Sequence, residues 1–274
     1  MTRVLFLGDV FSKAGRALAR NVLPMLIETE KIDLALANAE NAAGGVGLSV
    51  KSARQLLNAG LAALSGGNHT FKHEEIKPAL EGEDSRLIRP ANYPEPCPGK
   101  GFIVLEAADG VKVGFGNLMG RLFVNSAIDC PFARAESLIA EMAAAGATVT
   151  IIDFHAEATS EKKALGFYLD GKLGALLGTH THVQTNDAQI FPGGLAYITD
   201  VGMTGPHGSV IGMIPDEPIA AFISGRLHRF KPSSADPILE GVIIDFNPNG
   251  SANSIKAIRV RDQSGIPIDE SSPD

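Results

Sequence analysis

VTIIDFHAE, residues 149–157, joins a strongly apolar run to three side chains that can bind a metal ion or transfer a proton. The run 149–154 is rich in β-branched and aromatic residues, which is typical of a strand buried on both faces. Asp153, His155 and Glu157 stand at its carboxyl end. This stretch predicts an α/β fold with the chemistry placed where a strand ends.

Similar apolar runs alternate with amphipathic stretches along the chain, which indicates strands alternating with helices. The predicted strands are 4–7, 34–37, 62–64, 102–105, 111–115, 149–154, 175–177, 196–199, 242–246 and 255–260. The predicted helices are 12–28, 50–59, 71–80, 131–145 and 160–169. The fold class predicted from this pattern is α/β.

Length and composition predict a globular protein with a large core. The chain has 274 residues, of which 45% are hydrophobic and 20% charged, and a chain of this size buries most of its unfolded surface. No linker, repeat or charge block interrupts 1–261, so we expect a single domain over 1–261. The polar segment 262–274 is expected to be a frayed tail.

The net charge and the amino-terminal sequence limit the kinds of partner that the protein is expected to bind. With 24 Lys+Arg against 31 Asp+Glu, the formal net charge is −7, and no basic block is present to bind long nucleic acid. The apolar run 4–7 is cut by Asp9, too early for a signal peptide or a membrane span. Cys97 and Cys130 are too few for a disulfide framework. We expect a cytoplasmic protein with no membrane partner and a nucleotide-sized ligand.

Five short segments follow predicted strands and carry residues that can bind a cation. They are GDV (8–10), NAEN (38–41), GGNH (66–69), DFHAE (153–157) and GTHTH (178–182). Because the carboxyl ends of parallel strands share one edge of a sheet, we expect these segments to meet.

The donor atoms in these segments are nitrogen and oxygen without sulfur. Such a set suits Mn, Fe, Zn or Co and argues against a structural zinc site. The donors outnumber the needs of one ion, whereas two metal ions sharing a carboxylate would use all of them. The candidate ligands are Asp9, Glu40, Asn41, Asn68, His155, His180 and His182.

Each candidate has a structural alternative when it is taken singly. Asp9 could cap the helix that follows it, Glu40 could lie in a turn, and His155 could be a buried core histidine. His180 and His182 would point the same way from an extended segment, where two imidazoles have little structural use. The coincidence of five such segments favours a metal site.

In this order along the chain, the segments resemble the calcineurin-like metallophosphoesterases. Longer strings, NAENAAGGVGL (38–48), RPANYP (89–94), DFHAEATSEK (153–162) and TDVGMTGP (199–206), resemble the bacterial YmdB-type branch of metal-dependent 2′,3′-cyclic nucleotide phosphodiesterases. The resemblance covers nearly the whole chain. It implies an α/β fold in which layered β-sheets form a sandwich flanked by helices, and it implies a hydrolase.

The resemblance also implies a role for each ligand. Asp9, Asn41 and His182 would bind a first metal ion, and Asn68, His155 and His180 a second. Glu40 would bridge the two ions, and His69 matches the catalytic histidine.

Two departures from the common superfamily pattern affect the choice of metal. The usual Asp-x-His opening is Asp9-Val10-Phe11 here, and Glu40 stands where a bridging Asp is usual. By resemblance, Asn41 fills the vacant position. Because an amide oxygen is a harder ligand than imidazole, we expect two divalent ions with Fe or Mn preferred over Zn.

The expected reaction is hydrolysis of a small phosphodiester, such as a 2′,3′-cyclic nucleotide, by a hydroxide held between the metals, with His69 as general acid. Candidates for substrate contact are Arg89, Asn92, Glu157 and Thr181. Arg89 could instead form a surface ion pair, and Asn92 could instead brace the turn before Pro94. Lys162 is expected to be a solvated charge on a helix.

Two other classes of function remain open at this point. One is a regulatory, nucleotide-sensing metalloprotein with little or no turnover, and the other is a phosphomonoesterase or nuclease on the same metal site. His69 favours an enzyme, because a binding module needs no titratable group beside the metals. Members of the resembled branch are dimers or tetramers, so we expect a homo-oligomer. The apolar stretch 211–223 is a candidate subunit contact, with ordinary core as its alternative.

Overall fold

The computed structural model describes residues 1–124, 126–226 and 228–262. Its strands are β1 Thr2–Leu7, β2 Asp9–Val10, β3 Leu34–Asn38, β4 Ala63–Ser65, β5 Phe102–Glu106, β6 Lys112–Met119, β7 Val149–His155, β8 Ala175–Thr179, β9 Gln189–Ile190, β10 Ala196–Ile198, β11 Met203–Pro206, β12 Pro237–Phe246 and β13 Ala252–Arg261. Its helices are α1 Ser12–Thr29, α2 Val50–Asn58, α3 Ile76–Glu81, α4 Pro131–Ala144, α5 Thr159–Leu169 and α6 Asp216–Ser224. Every predicted strand and helix has a counterpart.

The first sheet contains seven strands in the order β2-β11-β12-β1-β3-β4, with β13 paired to β12. Strands β1, β3 and β4 run parallel, with Val4 opposite Leu34 and Leu36 opposite Ala63. Their carboxyl ends therefore lie along one edge of the sheet.

The second sheet contains six strands in the order β5-β6-β7-β8-β10-β9. Strands β6, β7 and β8 are parallel, and the register sets Met119 opposite His155 and His155 opposite Thr179. This sheet also brings its carboxyl ends to one edge.

The residues of β1 alternate between two cores, as the pleat of a strand requires. Val4 and Phe6 pack between the two sheets, where the Phe6 and Phe115 rings meet edge to face at 6.0 Å. Leu5 and Leu7 pack on the other side, among apolar side chains of α1 and α2. Helices α4 and α5 cover the outer face of the second sheet. The predicted sandwich flanked by helices is confirmed.

The helix predicted over 71–80 begins later than expected, at Ile76. Pro78 accounts for the later start, because proline has no N–H and costs no helical hydrogen bond only when it lies in the first turn. With Pro78 as the third residue, no hydrogen bond is lost.

The stretch 211–223 differs most from expectation. It contains most of α6, and the exposed fractions are 57% for Ile211, 49% for Ile219, 86% for Phe222 and 82% for Ile223. Its alternative as ordinary core is wrong, because these side chains lie outside both sheets. Its role as a subunit contact stays a prediction.

The single domain over 1–261 stays a prediction, and of the expected tail only Asp262 falls within the described residues. Within those residues, no helix is both long and apolar enough to span a lipid bilayer.

Candidate metal centre

The two sheets place the carboxyl ends of their parallel strands side by side. Asp9 follows β1, and β7 ends at His155. Hydrogen bonds cross between the sheets here: for example, the backbone N–H of His180 donates to Asp9 Oδ2 (2.9 Å), and Asn38 Nδ2 donates to Asp153 Oδ2 (2.8 Å). Segments far apart in sequence therefore meet at this edge. We call the seven candidate ligands, taken together, the polar cluster.

His155 lies at the centre of the polar cluster and is fully buried. Its Nε2 atom lies 3.0 Å from Nδ1 of His180 and 3.1 Å from Oε1 of Glu40. The Oδ1 atom of Asn68 lies 3.2 Å from the same nitrogen. One ligand atom from each of Glu40, His155 and His180 can be chosen so that all three lie within 4.8 Å of one another.

Asp9, Asn41 and His182 form the other side of the polar cluster. Asp9 Oδ1 lies 3.8 Å from His182 Nε2, and Asn41 Nδ2 lies 3.1 Å from the same nitrogen. His182 Nδ1 lies 3.0 Å from the carbonyl oxygen of Ile211. A hydrogen on Nδ1 that is donated to this carbonyl leaves the lone pair on Nε2, the atom that faces Asp9.

His69 borders the polar cluster without being enclosed by it, since its side chain is 27% exposed. Its backbone N–H donates to Glu40 Oε2 (2.9 Å), and its ring Nδ1 lies 2.8 Å from Asn41 Oδ1. Gly67 allows the backbone before His69 to lie this close to Glu40 and His155, because a Cβ at position 67 would collide with both side chains. The ring of His69 is thus fixed through Nδ1.

Asp153 supports the polar cluster from below. This fully buried carboxylate accepts hydrogen bonds from Ser65 Oγ (2.5 Å), Thr179 Oγ1 (2.7 Å) and Asn38 Nδ2 (2.8 Å). Thr179 Oγ1 lies 2.9 Å from Nδ1 of His155. These contacts orient the His155 ring from behind, as outer partners of metal-binding histidines do.

The segment that presents His180 and His182 is a turn and not an extended strand. Strand β8 ends at Thr179, and φ is +104° at His180 and +63° at His182, a region that residues other than glycine rarely adopt. The extended-segment explanation is therefore wrong, although both rings reach the polar cluster. Asp200 Oδ2 holds the turn by accepting from the backbone N–H of Thr181 (3.0 Å).

Lys162 is also placed differently from expectation. It is 1% exposed, and its Nζ donates to Asp200 Oδ2 (2.8 Å) and to the carbonyl oxygen of Thr179 (2.8 Å). The expectation of a solvated helix charge is wrong, because α5 turns this side chain inward beneath the turn at 180–182. Lys162 and Asp200 both lie in the family-like strings 153–162 and 199–206, the one sequence signal that marked them.

The charges of the polar cluster are strongly coupled. Burial would lower the pKa of His155, but the carboxylates of Glu40 and Asp9 outweigh it and raise that pKa to about 9. Burial and then the charge on His155 lower the pKa of His180 to about 3. Burial raises the pKa of Asp9, whereas His155 holds the pKa of Glu40 well below its usual range despite burial. Two buried carboxylates here thus require a positive charge between them.

The polar cluster fits divalent cations by three observations. The buried Oδ1 atom of Asp9 has no hydrogen-bond partner among the described residues. The contacts around His155 Nε2, 3.0–3.2 Å, match neighbouring ligands of one ion, because two atoms each about 2.1 Å from an ion and at a right angle are about 3 Å apart. The ligand atoms are oxygen and nitrogen, which Mn, Fe and Zn all accept.

A cavity of about 750 Å³ opens over the polar cluster. Glu40, Asn41, His69 and His180 line one part of it, and the predicted substrate contacts Glu157 and Thr181 also line it. Glu157 Oε2 lies 3.0 Å from His180 Nε2.

Arg89 and Asn92 lie away from this cavity. Asn92 is fully buried, donates to the carbonyl oxygens of Met119 (2.7 Å) and Asp129 (3.1 Å), and accepts from the Met119 N–H. Arg89 is 7% exposed and donates to the Pro90 carbonyl oxygen (2.9 Å). The Asn92 side chain thus joins distant segments and does not brace the turn before Pro94, its stated alternative. The surface ion pair proposed as the alternative for Arg89 is not formed among the described residues.

The sandwich, with a candidate metal site where the strands of two sheets end, is the fold of a phosphoesterase-like hydrolase. Proteins of similar sequence are hydrolases of the same kind. A 2′,3′-cyclic-nucleotide 2′-phosphodiesterase of Bacillus subtilis (strain 168) is 44% identical over 245 residues, which are 89% of this chain and 91% of that protein.

Two solved structures are similar over most of the chain. A hypothetical protein from Thermus thermophilus superposes with a TM-score of 0.88 at 40% identity and covers 94% of this chain and 99% of its own. A crystal structure described as a novel phosphatase, from Mycoplasma pneumoniae, gives a TM-score of 0.87 at 37% identity and covers 94% and 93%.

The profile of the YmdB-like proteins matches residues 5–258, and the chain belongs to this family. The predicted resemblance is confirmed. The predicted enzyme class, a phosphodiesterase hydrolase, is confirmed at the level of the family, in which one named relative is a phosphodiesterase and another a phosphatase.

Proposed function

We propose that this chain hydrolyses small phosphodiesters, with 2′,3′-cyclic nucleotides as the substrate class, and that it depends on two divalent cations. The observation that supports the proposal is that each of the seven side chains of the polar cluster has an oxygen or nitrogen atom within 4 Å of another member, next to His69 and the cavity. The substrate named for the Bacillus subtilis relative supports the choice of a cyclic diester.

The polar cluster divides into two sets that share Glu40. Asp9, Asn41 and His182 would hold one cation, and Asn68, His155 and His180 the other. When bound, the two cations, for which we propose Fe or Mn, would supply positive charge to the phosphoryl oxygens and an activated water. Glu157, 3.0 Å from His180 Nε2, orients that ring.

The amide of Asn41 connects the ligands to His69. Its oxygen faces His69 Nδ1 and its nitrogen faces His182. A hydrogen on His69 Nδ1 can be donated to the Asn41 oxygen, which keeps a second lone pair that could bind a cation. Glu40 Oε1, 3.2 Å from the same ring nitrogen, favours a His69 ring that carries hydrogens on both nitrogens. We propose that this imidazolium gives its Nε2 proton to the departing ribose oxygen as general acid and becomes neutral imidazole.

The experiment is a substrate panel on metal-replete protein, made of a 2′,3′-cyclic nucleotide, a linear diester and a monoester. We expect the cyclic diester to have the highest kcat/KM and a chelator to abolish turnover. Metal bound at the polar cluster with turnover of none of the three would overturn the proposal and favour a nucleotide-sensing metalloprotein. A monoester turned over fastest would favour a phosphomonoesterase.

A further inference from the structure

The cavity over the polar cluster has two chemically unlike parts. Away from the polar cluster, its lining consists mainly of aliphatic and aromatic residues contributed by α6 and the segments around it, together with Arg226. We call these residues the apolar wall: Val46, Val210, Ile211, Met213, Pro218, Ala221, Phe222 and Phe230.

The apolar wall is exposed although it is strongly hydrophobic. The exposed fractions are 86% for Phe222, 57% for Ile211 and 43% for Phe230. Contiguous exposed apolar residues beside a polar site are typical of a binding surface, whereas most large apolar side chains of this protein are buried in three cores.

The backbone joins the apolar wall directly to the polar cluster. The carbonyl oxygen of Ile211 lies 3.0 Å from Nδ1 of His182. Gly212 follows with φ at +103°, and a Cβ there would collide with the ring of Phe11, which itself packs edge to face on His182 at 5.6 Å. The wall therefore begins where the polar cluster ends, within one continuous cavity.

We propose that the apolar wall binds the nucleobase of a substrate whose phosphodiester lies at the polar cluster. This inference rests on the proposed function and adds a subsite to it. A nucleotide has an anionic end and a flat ring with apolar faces, which is the same division that the cavity shows. The volume, about 750 Å³, lies within the ~300–1,000 Å³ of small-molecule sites.

The composition of the apolar wall sets its specificity. None of its members carries an amide, hydroxyl or charged side chain, and Arg226 is the one charged residue of the described chain that follows α6 in the lining. A base would therefore be held mainly by its faces and not by hydrogen bonds at its edge. Stacking on an aromatic side chain contributes about 5- to 150-fold per base. We therefore expect the four bases to differ by less than about tenfold and a base-free ester to be clearly poorer.

The test compares kcat/KM for 2′,3′-cyclic AMP with kcat/KM for ribose 2′,3′-cyclic phosphate, which lacks the base. Phe222→Ala should lower the ratio of the two values at least fivefold, mainly through KM, and Phe222→Tyr should retain it. Ile223→Ala is the matched control, since Ile223 is 82% exposed on the same helix and does not line the cavity. It should leave the ratio unchanged.

A ratio that is unchanged in Phe222→Ala would overturn the base site, whether the two kcat/KM values stay at the wild-type level or fall together. If Ile223→Ala instead has a smaller mass in solution, and kcat/KM falls equally for both substrates, a second copy of the chain covers α6. That result would also overturn the base site. Calorimetric binding of adenosine 3′-monophosphate and ribose 3-phosphate separates this proposal from the proposed function. The nucleotide could bind more tightly than ribose 3-phosphate to the wild type, and Phe222→Ala could abolish this difference. If the wild type then showed no turnover, the base site would be retained and the proposed hydrolysis overturned.

Discussion

The two parts of the cavity are built in opposite ways. In the polar cluster, Asp9, Glu40 and His155 are 0–1% exposed and each has a charged partner within 4 Å. In the apolar wall, Phe222 and Ile211 face solvent with more than half of their surface exposed. The first arrangement fixes atoms at set distances, and the second offers area to a ligand. Substitutions in the polar cluster should therefore affect turnover and metal binding, whereas substitutions in the apolar wall should affect ligand binding.

The largest effect is expected in the polar cluster itself. Glu40→Ala removes the carboxylate shared by the two proposed cation sets and leaves His155 and His69 without their charged partner. We expect turnover to fall by roughly 10³-fold or more, as for loss of an essential active-site group. Initial rates on the cyclic diester, with metal content measured on the same sample, check this. Near-wild-type turnover with intact metal content would remove Glu40 from the site.

His69→Ala should separate chemistry from metal binding. His69 borders the ligands and is partly exposed, so its removal should leave metal content unchanged while kcat falls by ~10²–10⁴. His69→Gln, which keeps a side chain able to hydrogen-bond but cannot act as an acid, should be equally slow. Recovery of kcat in His69→Gln would show that His69 positions Asn41 and does not transfer a proton.

Lys162→Met tests the support beneath the turn at 180–182. Breaking its buried ion pair leaves Asp200 uncompensated, so the free energy of unfolding should fall by about 3–5 kcal/mol. Metal affinity should also fall, because Asp200 holds the Thr181 N–H. Denaturant unfolding and a metal titration measure the two effects.

The adjacent Lys163 provides the matched control for Lys162→Met. Lys163 is 41% exposed and 3.4 Å from Asp187, so Lys163→Met should change stability by less than about 1 kcal/mol. Equal effects of the two substitutions would show that burial of Lys162 has no special consequence.

The smallest effect is expected on the apolar wall's helix. Ile223→Ala should change the free energy of unfolding by less than about 0.5 kcal/mol, because an exposed side chain loses no packing. Ile152→Ala, in the buried core, should reduce it by about 2–5 kcal/mol. Urea unfolding of both variants makes the comparison. A loss above about 1 kcal/mol for Ile223→Ala would mean that α6 is covered in solution.

The same contrast explains what the sequence could predict. Asp9, Glu40 and His155 follow strands, and parallel strands bring such positions to one edge of a sheet, so the order of the motifs was enough to expect their meeting. Their roles as metal ligands stay predictions. The sandwich itself followed from a resemblance spread over nearly the whole chain and was confirmed.

Features that depend on contacts across the fold could not be predicted in this way. Lys162 looks like any helix lysine until α5 is placed against Asp200 and Thr179. The apolar residues of 211–223 have the composition of core, because an exposed binding wall and a buried core use the same side chains. His180 and His182 share a positive-φ turn that their spacing did not indicate.

The central claim is that the polar cluster holds two divalent cations, and elemental analysis of metal-replete protein tests it most directly. We predict two transition-metal ions per chain in the wild type, with loss of bound metal in Asp9→Ala. A wild-type protein that retains no transition metal after loading, or an Asp9→Ala variant that retains the full amount, would contradict the account.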